Sequence, residues 1–219
     1  VSEFFGMTEV TASAAVLCST GAALPAPVEV TLPLASPRFA ERMAGYVARG
    51  RLPFHEAYTT GRKDGIDIEM RLKIFIPSME AFLADPEHSA VVSGSVVFPA
   101  LTSLLYEKNP ALAADQELRV ERGVLNLWVD SGSPAEKEMR YCLFLRDSAQ
   151  RAFTLYGVKM VPNGMPLGDT TTLFTQLWAG YHAPPVAPSE VLASGILHMS
   201  PGAVVGLLAS LRAQGSGRA

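Results

Sequence analysis

Asp67-Ile68-Glu69-Met70-Arg71-Leu72-Lys73-Ile74-Phe75-Ile76 is the stretch that decides the fold class. Asp67, Glu69, Arg71 and Lys73 alternate with Ile68, Met70, Leu72 and Ile74, and Ile76 extends the apolar series past Phe75. Side chains on an extended chain point to opposite faces in turn, so this period predicts a strand with one wet and one buried face. Such alternation belongs to antiparallel sheets, because strands of doubly wound parallel sheets are buried on both faces. Asp64-Gly65 marks a turn just before it.

Working outward, strand-like segments run over Ala90–Phe98, Val124–Val129, Glu138–Leu145, Phe153–Val161, Thr171–Trp178 and Val191–Met199, with a further one at Val28–Leu34. Gly94, Gly157 and Gly195 lie inside three of them, where glycine marks bulges or bends. The pattern predicts a mainly β protein, an antiparallel β barrel or barrel-like sandwich of about eight strands with short helices and a C-terminal helix. The short helices fall at Phe54–Arg62 and after Ser78, stopping before Asp85-Pro86. Ser200-Pro201 caps the C-terminal one, and Val204, Val205, Leu208 and Leu211 form its apolar stripe through Arg212. Phe39–Val47 fits helical and strand spacing equally. Residues 1–27 read as an arm or strand, 28–213 as one β-rich domain and 214–219 as a disordered tail. Glu69-Met70-Arg71 and Glu138-Met139-Arg140 echo one another as strand openings.

Of the 219 residues, 48% are apolar and 18% charged, enough for a sizeable core and too little polarity for a disordered chain. A net charge of −3 with interspersed signs argues against a nucleic-acid scaffold. Cys18 and Cys142 are far apart and form no C-x-x-C pair, so neither a disulfide framework nor a zinc site is expected, and Cys142 reads as a small buried hydrophobe. Ala14-Ala15-Val16-Leu17-Cys18 is too short an apolar run to span a bilayer and follows no basic segment. No transmembrane segment is expected, and the cytoplasm is the expected location.

No phosphate-cradling G-x-G-x-x-G or G-x-x-x-x-G-K-[ST] loop and no G-x-S-x-G elbow occurs. No cofactor, metal or catalytic residue is therefore expected, and the purified protein should carry no flavin or nicotinamide. The four histidines, at 55, 88, 182 and 198, are scattered. His198 reads either as a core imidazole or as a ligand group. Asp169-Thr170-Thr171-Thr172 either satisfies backbone donors at a strand start or binds a ligand. Trp128, Tyr141, Phe144, Tyr156, Phe174 and Trp178 either fill the core or line an apolar pocket. The candidate ligand-binding set is Trp128, Tyr141, Phe144, Tyr156, Trp178, Arg140, Asp169 and His198; an enzyme site would draw on Arg140, Lys159, Asp169 and His198.

Phe39-x-Glu41-x-Met43-x-Gly45-Tyr46-Val47 resembles the M-R-G-Y stretch of an accessory domain found with cholesterol-oxidase-like glucose–methanol–choline oxidoreductases. The likeness continues in order through Ala81–His88, Gly123–Val129, Met139-Arg140-Tyr141, Asp169–Phe174 and Ala193–Leu197, over roughly Phe39 to Arg212. Ala44 stands where arginine is usual, and the apolar loop Ser103–Leu118 also departs from the pattern. The resemblance implies that Phe39–Val47 is a strand, and that the chain works in sterol or lipid metabolism. It would do so as a non-catalytic domain binding an apolar small molecule, a sterol or lipid, or a partner oxidoreductase. An enzyme acting on a lipid-like substrate and a purely structural interaction module are the alternatives.

Overall fold

The computed structural model describes residues 11–13, 29–31, 38–101, 116–162, 171–184 and 190–199. Ten strands and two helices follow in the order β1 Thr11–Ser13, β2 Glu29–Thr31, β3 Arg38–Arg49, α1 Phe54–Asp64, β4 Asp67–Phe75, α2 Met79–Ala84, β5 Ser89–Val97, β6 Glu117–Asp130, β7 Glu136–Arg146, β8 Ala152–Pro162, β9 Thr172–Ala179 and β10 Ala193–Met199. Strands β3 to β10 each pair antiparallel with the next. β10 closes back on β3, with Gly195 opposite Val47, so the sheet is an eight-stranded barrel without edges. The ambiguous segment at 39–47 is strand β3, the staple that closes the ring.

Residue period explains the packing. Ile68, Met70, Leu72 and Ile74 of β4 are buried in the lumen, joined by Ile76 just beyond it, while Arg71 and Lys73 stand outside. Every barrel strand contributes alternate residues to one contiguous apolar cluster, among them Met43, Val92, Leu125, Leu143, Leu155, Leu173 and Leu197. α2 places Phe82 in the same cluster; its N-cap, Ser78, accepts a hydrogen bond from the Ala81 amide at 3.2 Å. α1 lies outside, against β3 and β10. It approaches so closely that a Cβ on Gly61 would sit 2.1 Å from the Val47 carbonyl oxygen.

Three expectations are refined. The strand expected at Val28–Leu34 is present over Glu29–Thr31 as β2, but it pairs with β1, Val30 opposite Ala12, and not with a barrel strand; β1 lies against β5 and β6. The strand expected at Val124–Val129 is longer, because β6 begins at Glu117 and stays paired across two register shifts against β7, one of which carries Trp128 at φ 54°. Of the three mid-strand glycines, only Gly94 bends its strand at a bulge. It has φ 135° at the shift between Val92 and Ser95, and a Cβ there would meet the Arg71 carbonyl oxygen at 2.1 Å. Gly157 and Gly195 sit in unbroken ladders. The C-terminal helix and the tail lie outside the described residues.

Candidate functional site

Among the described residues a charged cluster interrupts the apolar lumen. Glu41 of β3 faces inward between Met43 and Phe39, and across the ring stand Tyr141 of β7 and Lys159 of β8. β3 and β7 are four steps apart in a ring of eight, so the contact spans the lumen. The Tyr141 hydroxyl reaches both Glu41 carboxylate oxygens, at 2.9 and 3.1 Å, and the Lys159 ammonium donates to Oε1. Lys159 Nζ also lies 5.1 Å from the centre of the Tyr141 ring. Lys159 and Tyr141 expose no surface and Glu41 only 5%. Burial pulls the Lys159 ammonium below its ordinary pKa against the pull of Glu41, while burial and the carboxylate together push the Tyr141 phenol well above its own.

These groups satisfy one another. Met70, Ile74, Leu125, Leu143, Leu155, Leu173 and Leu197 of the same lumen cluster expose 0% of their surface. The triad is a brace across the barrel. A buried ion pair gains little over apolar packing of the same volume, but breaking it is expensive. Sequence reading placed Glu41 on a strand face and Lys159 in a strand without pairing them. The available signal was a charged residue at core parity in each of two apolar strands.

The described residues among those expected to share a site divide between the two sides of the barrel wall. Tyr141 points into the lumen, and Trp128 packs against the core from its bulge. Phe144, Tyr156 and Trp178 have the opposite parity and lie on the outer wall. There the Tyr181–His182 segment folds over them: Phe144 meets Tyr181 at 5.5 Å, Tyr156 stacks on Trp178 at 5.6 Å, and Trp178 meets His182 edge-on at 6.2 Å. The segment is pinned by Thr154, whose hydroxyl donates to the Gly180 carbonyl and accepts from the His182 amide. Arg140 is outside on β7, bound to Glu138 at 2.7 Å, and its neighbour across the β7–β8 ladder, Lys159's strand, turns Lys159 the other way. His198 is outside on β10, so Arg140, Lys159 and His198 form no common pocket. Asp169 lies outside the described residues.

His198 belongs instead to an aromatic patch that α1 builds on β3, β9 and β10. Tyr58 meets Tyr46 at 5.6 Å and His198 at 5.5 Å, both edge-on; Phe174 meets Phe54 at 5.4 Å and His55 at 5.9 Å. Tyr46, Phe54, Tyr58 and Phe174 are half-buried, while His55 and His198 are exposed. The Thr172 hydroxyl lies 3.4 Å from His198 Nδ1. Rings with an apolar body and a polar tip, held rigidly on helix and strands, suit a protein interface.

Among the described residues no cluster of histidine, cysteine or carboxylate side chains could hold a metal, and no helix is long and apolar enough to cross a membrane. Compared with protein-family models, with curated proteins and with solved structures, the chain matches none.

Proposed function

We propose that this barrel is a non-catalytic binding module, accessory to a flavin-dependent oxidoreductase of sterol or lipid metabolism, that docks its partner through the aromatic patch around Tyr58. The observation that carries the reading is the lumen itself: its lining side chains are buried against one another and its charges are paired across it, which favours recognition on the outer wall. The patch offers the tyrosine- and phenylalanine-rich composition from which interface hot spots are built. The ordered likeness from Phe39 to Arg212 supplies the kind of partner. The test is sedimentation velocity of the chain mixed with a cholesterol-oxidase-like flavoprotein of the same genome. A complex is expected, weakened at least tenfold by Tyr58→Ala or Phe174→Ala and unchanged by Leu83→Ser on α2. No complex, or one indifferent to Tyr58 and Phe174, overturns the reading. Saturable quenching of Trp128 and Trp178 fluorescence by a sterol, weakened in Tyr156→Ala, would transfer it to ligand carriage.

A further inference from the structure

A second surface feature, independent of partner docking, lies where β5, β6 and the β7–β8 hairpin meet. An open groove of ≈ 750 Å³ runs there, lined by Ser95, Glu117, Arg119, Glu121, Arg146 and Asp147 among others. That volume is within the range of small-molecule sites, roughly 300–1,000 Å³, and the lining suits a polar guest.

The chain contains three Glu-apolar-Arg triplets on barrel strands: Glu69-Met70-Arg71 on β4, Glu117-Leu118-Arg119 on β6 and Glu138-Met139-Arg140 on β7. In each the central residue is buried in the lumen, so the two charges share the outer wall. On β4 and β7 the pair is closed, at 2.6 and 2.7 Å. On β6 it is open: among the described residues neither the Glu117 nor the Arg119 side chain makes a hydrogen bond or ion pair, although the Glu117 charge acts on Arg71 through space. The other charges of the groove are engaged. Arg146 holds Glu121 at 2.6 Å, Tyr181 also donates to Glu121, and Arg151 holds Asp147 at 2.5 Å. Arg146 stands directly opposite Arg119 on β7, so the nearest neighbour in register is a like charge that has already taken a carboxylate. The open pair is the one that lines the groove.

We propose that this groove binds a small zwitterion, its carboxylate on the Arg119 guanidinium and its ammonium on the Glu117 carboxylate. The arginine fork matches a carboxylate with two parallel hydrogen bonds, and a carboxylate accepts from an ammonium. The charge balance selects against simpler ions. Arg146 answers Glu121 and Arg151 answers Asp147, which leaves one charge of each sign, Glu117 and Arg119, so a lone anion leaves Glu117 unanswered and a lone cation leaves Arg119 unanswered.

Calorimetric titration of the full chain with glycine, β-alanine and γ-aminobutyrate, and with acetate and methylammonium as half-ligands, tests this. At least one zwitterion should bind saturably and at least tenfold more tightly than either half-ligand. Glu117→Gln and Arg119→Gln should each weaken it tenfold or more, and Glu69→Gln should leave it unchanged. Both groove residues are exposed, so thermal melts of the variants should match the parent and exclude misfolding. Absence of saturable binding by all three zwitterions, acetate binding as well as the best of them, or full affinity in either groove variant overturns the proposal.

Discussion

Removing Glu41 should do far more damage than removing the whole triad. Glu41→Leu leaves the buried Lys159 ammonium and Tyr141 hydroxyl without the carboxylate they both bind. Stranding one partner of a buried ion pair costs about 3–5 kcal/mol, against a total stability of roughly 5–15 kcal/mol for an ordinary domain. Glu41→Leu combined with Lys159→Met exchanges the pair for apolar groups of similar volume. It should recover most of that loss, giving a coupling energy of at least ~2 kcal/mol. Urea unfolding followed by circular dichroism measures all four corners of the cycle. The pH dependence gives a second reading. Lys159 has a folded-state pKa below its unfolded value of 10.5, so between the two the unfolded chain holds a proton that the folded one has released. Its contribution to stability is present above 10.5 and lost as pH falls through the folded pKa. Tyr141 runs the other way: its folded pKa is raised, so its contribution is present below 10.0 and lost as pH climbs through the raised value. Lys159→Met should therefore flatten the alkaline rise and leave the Tyr141 decline. If the single and double variants lose stability additively, or Lys159→Met leaves the alkaline limb unaltered, the brace across the lumen is refuted.

Leu72→Ala should lower stability by ~2–5 kcal/mol by opening a cavity in the lumen, whereas Arg71→Ala on the wet face should barely move the urea midpoint; equal losses would contradict the assignment of faces. Gly94→Ala forces a side chain into φ 135° and into the Arg71 carbonyl, so it should cost at least ~1–3 kcal/mol in the same melts; a neutral substitution would argue against the bulge. Burial and the hydrogen bond to Glu121 push the Tyr181 phenol up to about 12, so an absorbance titration should show, besides the buried Tyr141, a late tyrosinate that Tyr181→Phe removes. The stability that this tyrosine adds is complete below its unfolded pKa of 10.0 and disappears as pH passes about 12.

Sequence alone determined the fold class, because the inside and outside of a strand are written two residues apart. Ile68 to Ile76 announces its buried face without reference to any other strand, and β7, β8 and β10 read almost as plainly. Local chemistry likewise placed α1 and α2 and the bend at Gly94. Phe39–Val47 stayed ambiguous because Glu41 stands among its apolar residues, and its spacing satisfies two periods at once. What tertiary structure decided is everything that depends on the distance between strands. Barrel closure puts β3 opposite β7, and only then does Glu41 meet Tyr141 and Lys159, 100 and 118 residues away. The same closure sorts Tyr141 from Phe144, Tyr156 and Trp178, which composition groups together but pleat parity sends to opposite walls. Register also decides which Glu-apolar-Arg triplet closes and which stays open. A triplet specifies that its two charges share a face, but the neighbouring strands set the charges around each one. Period is a property of the chain, whereas partnership is a property of the sheet.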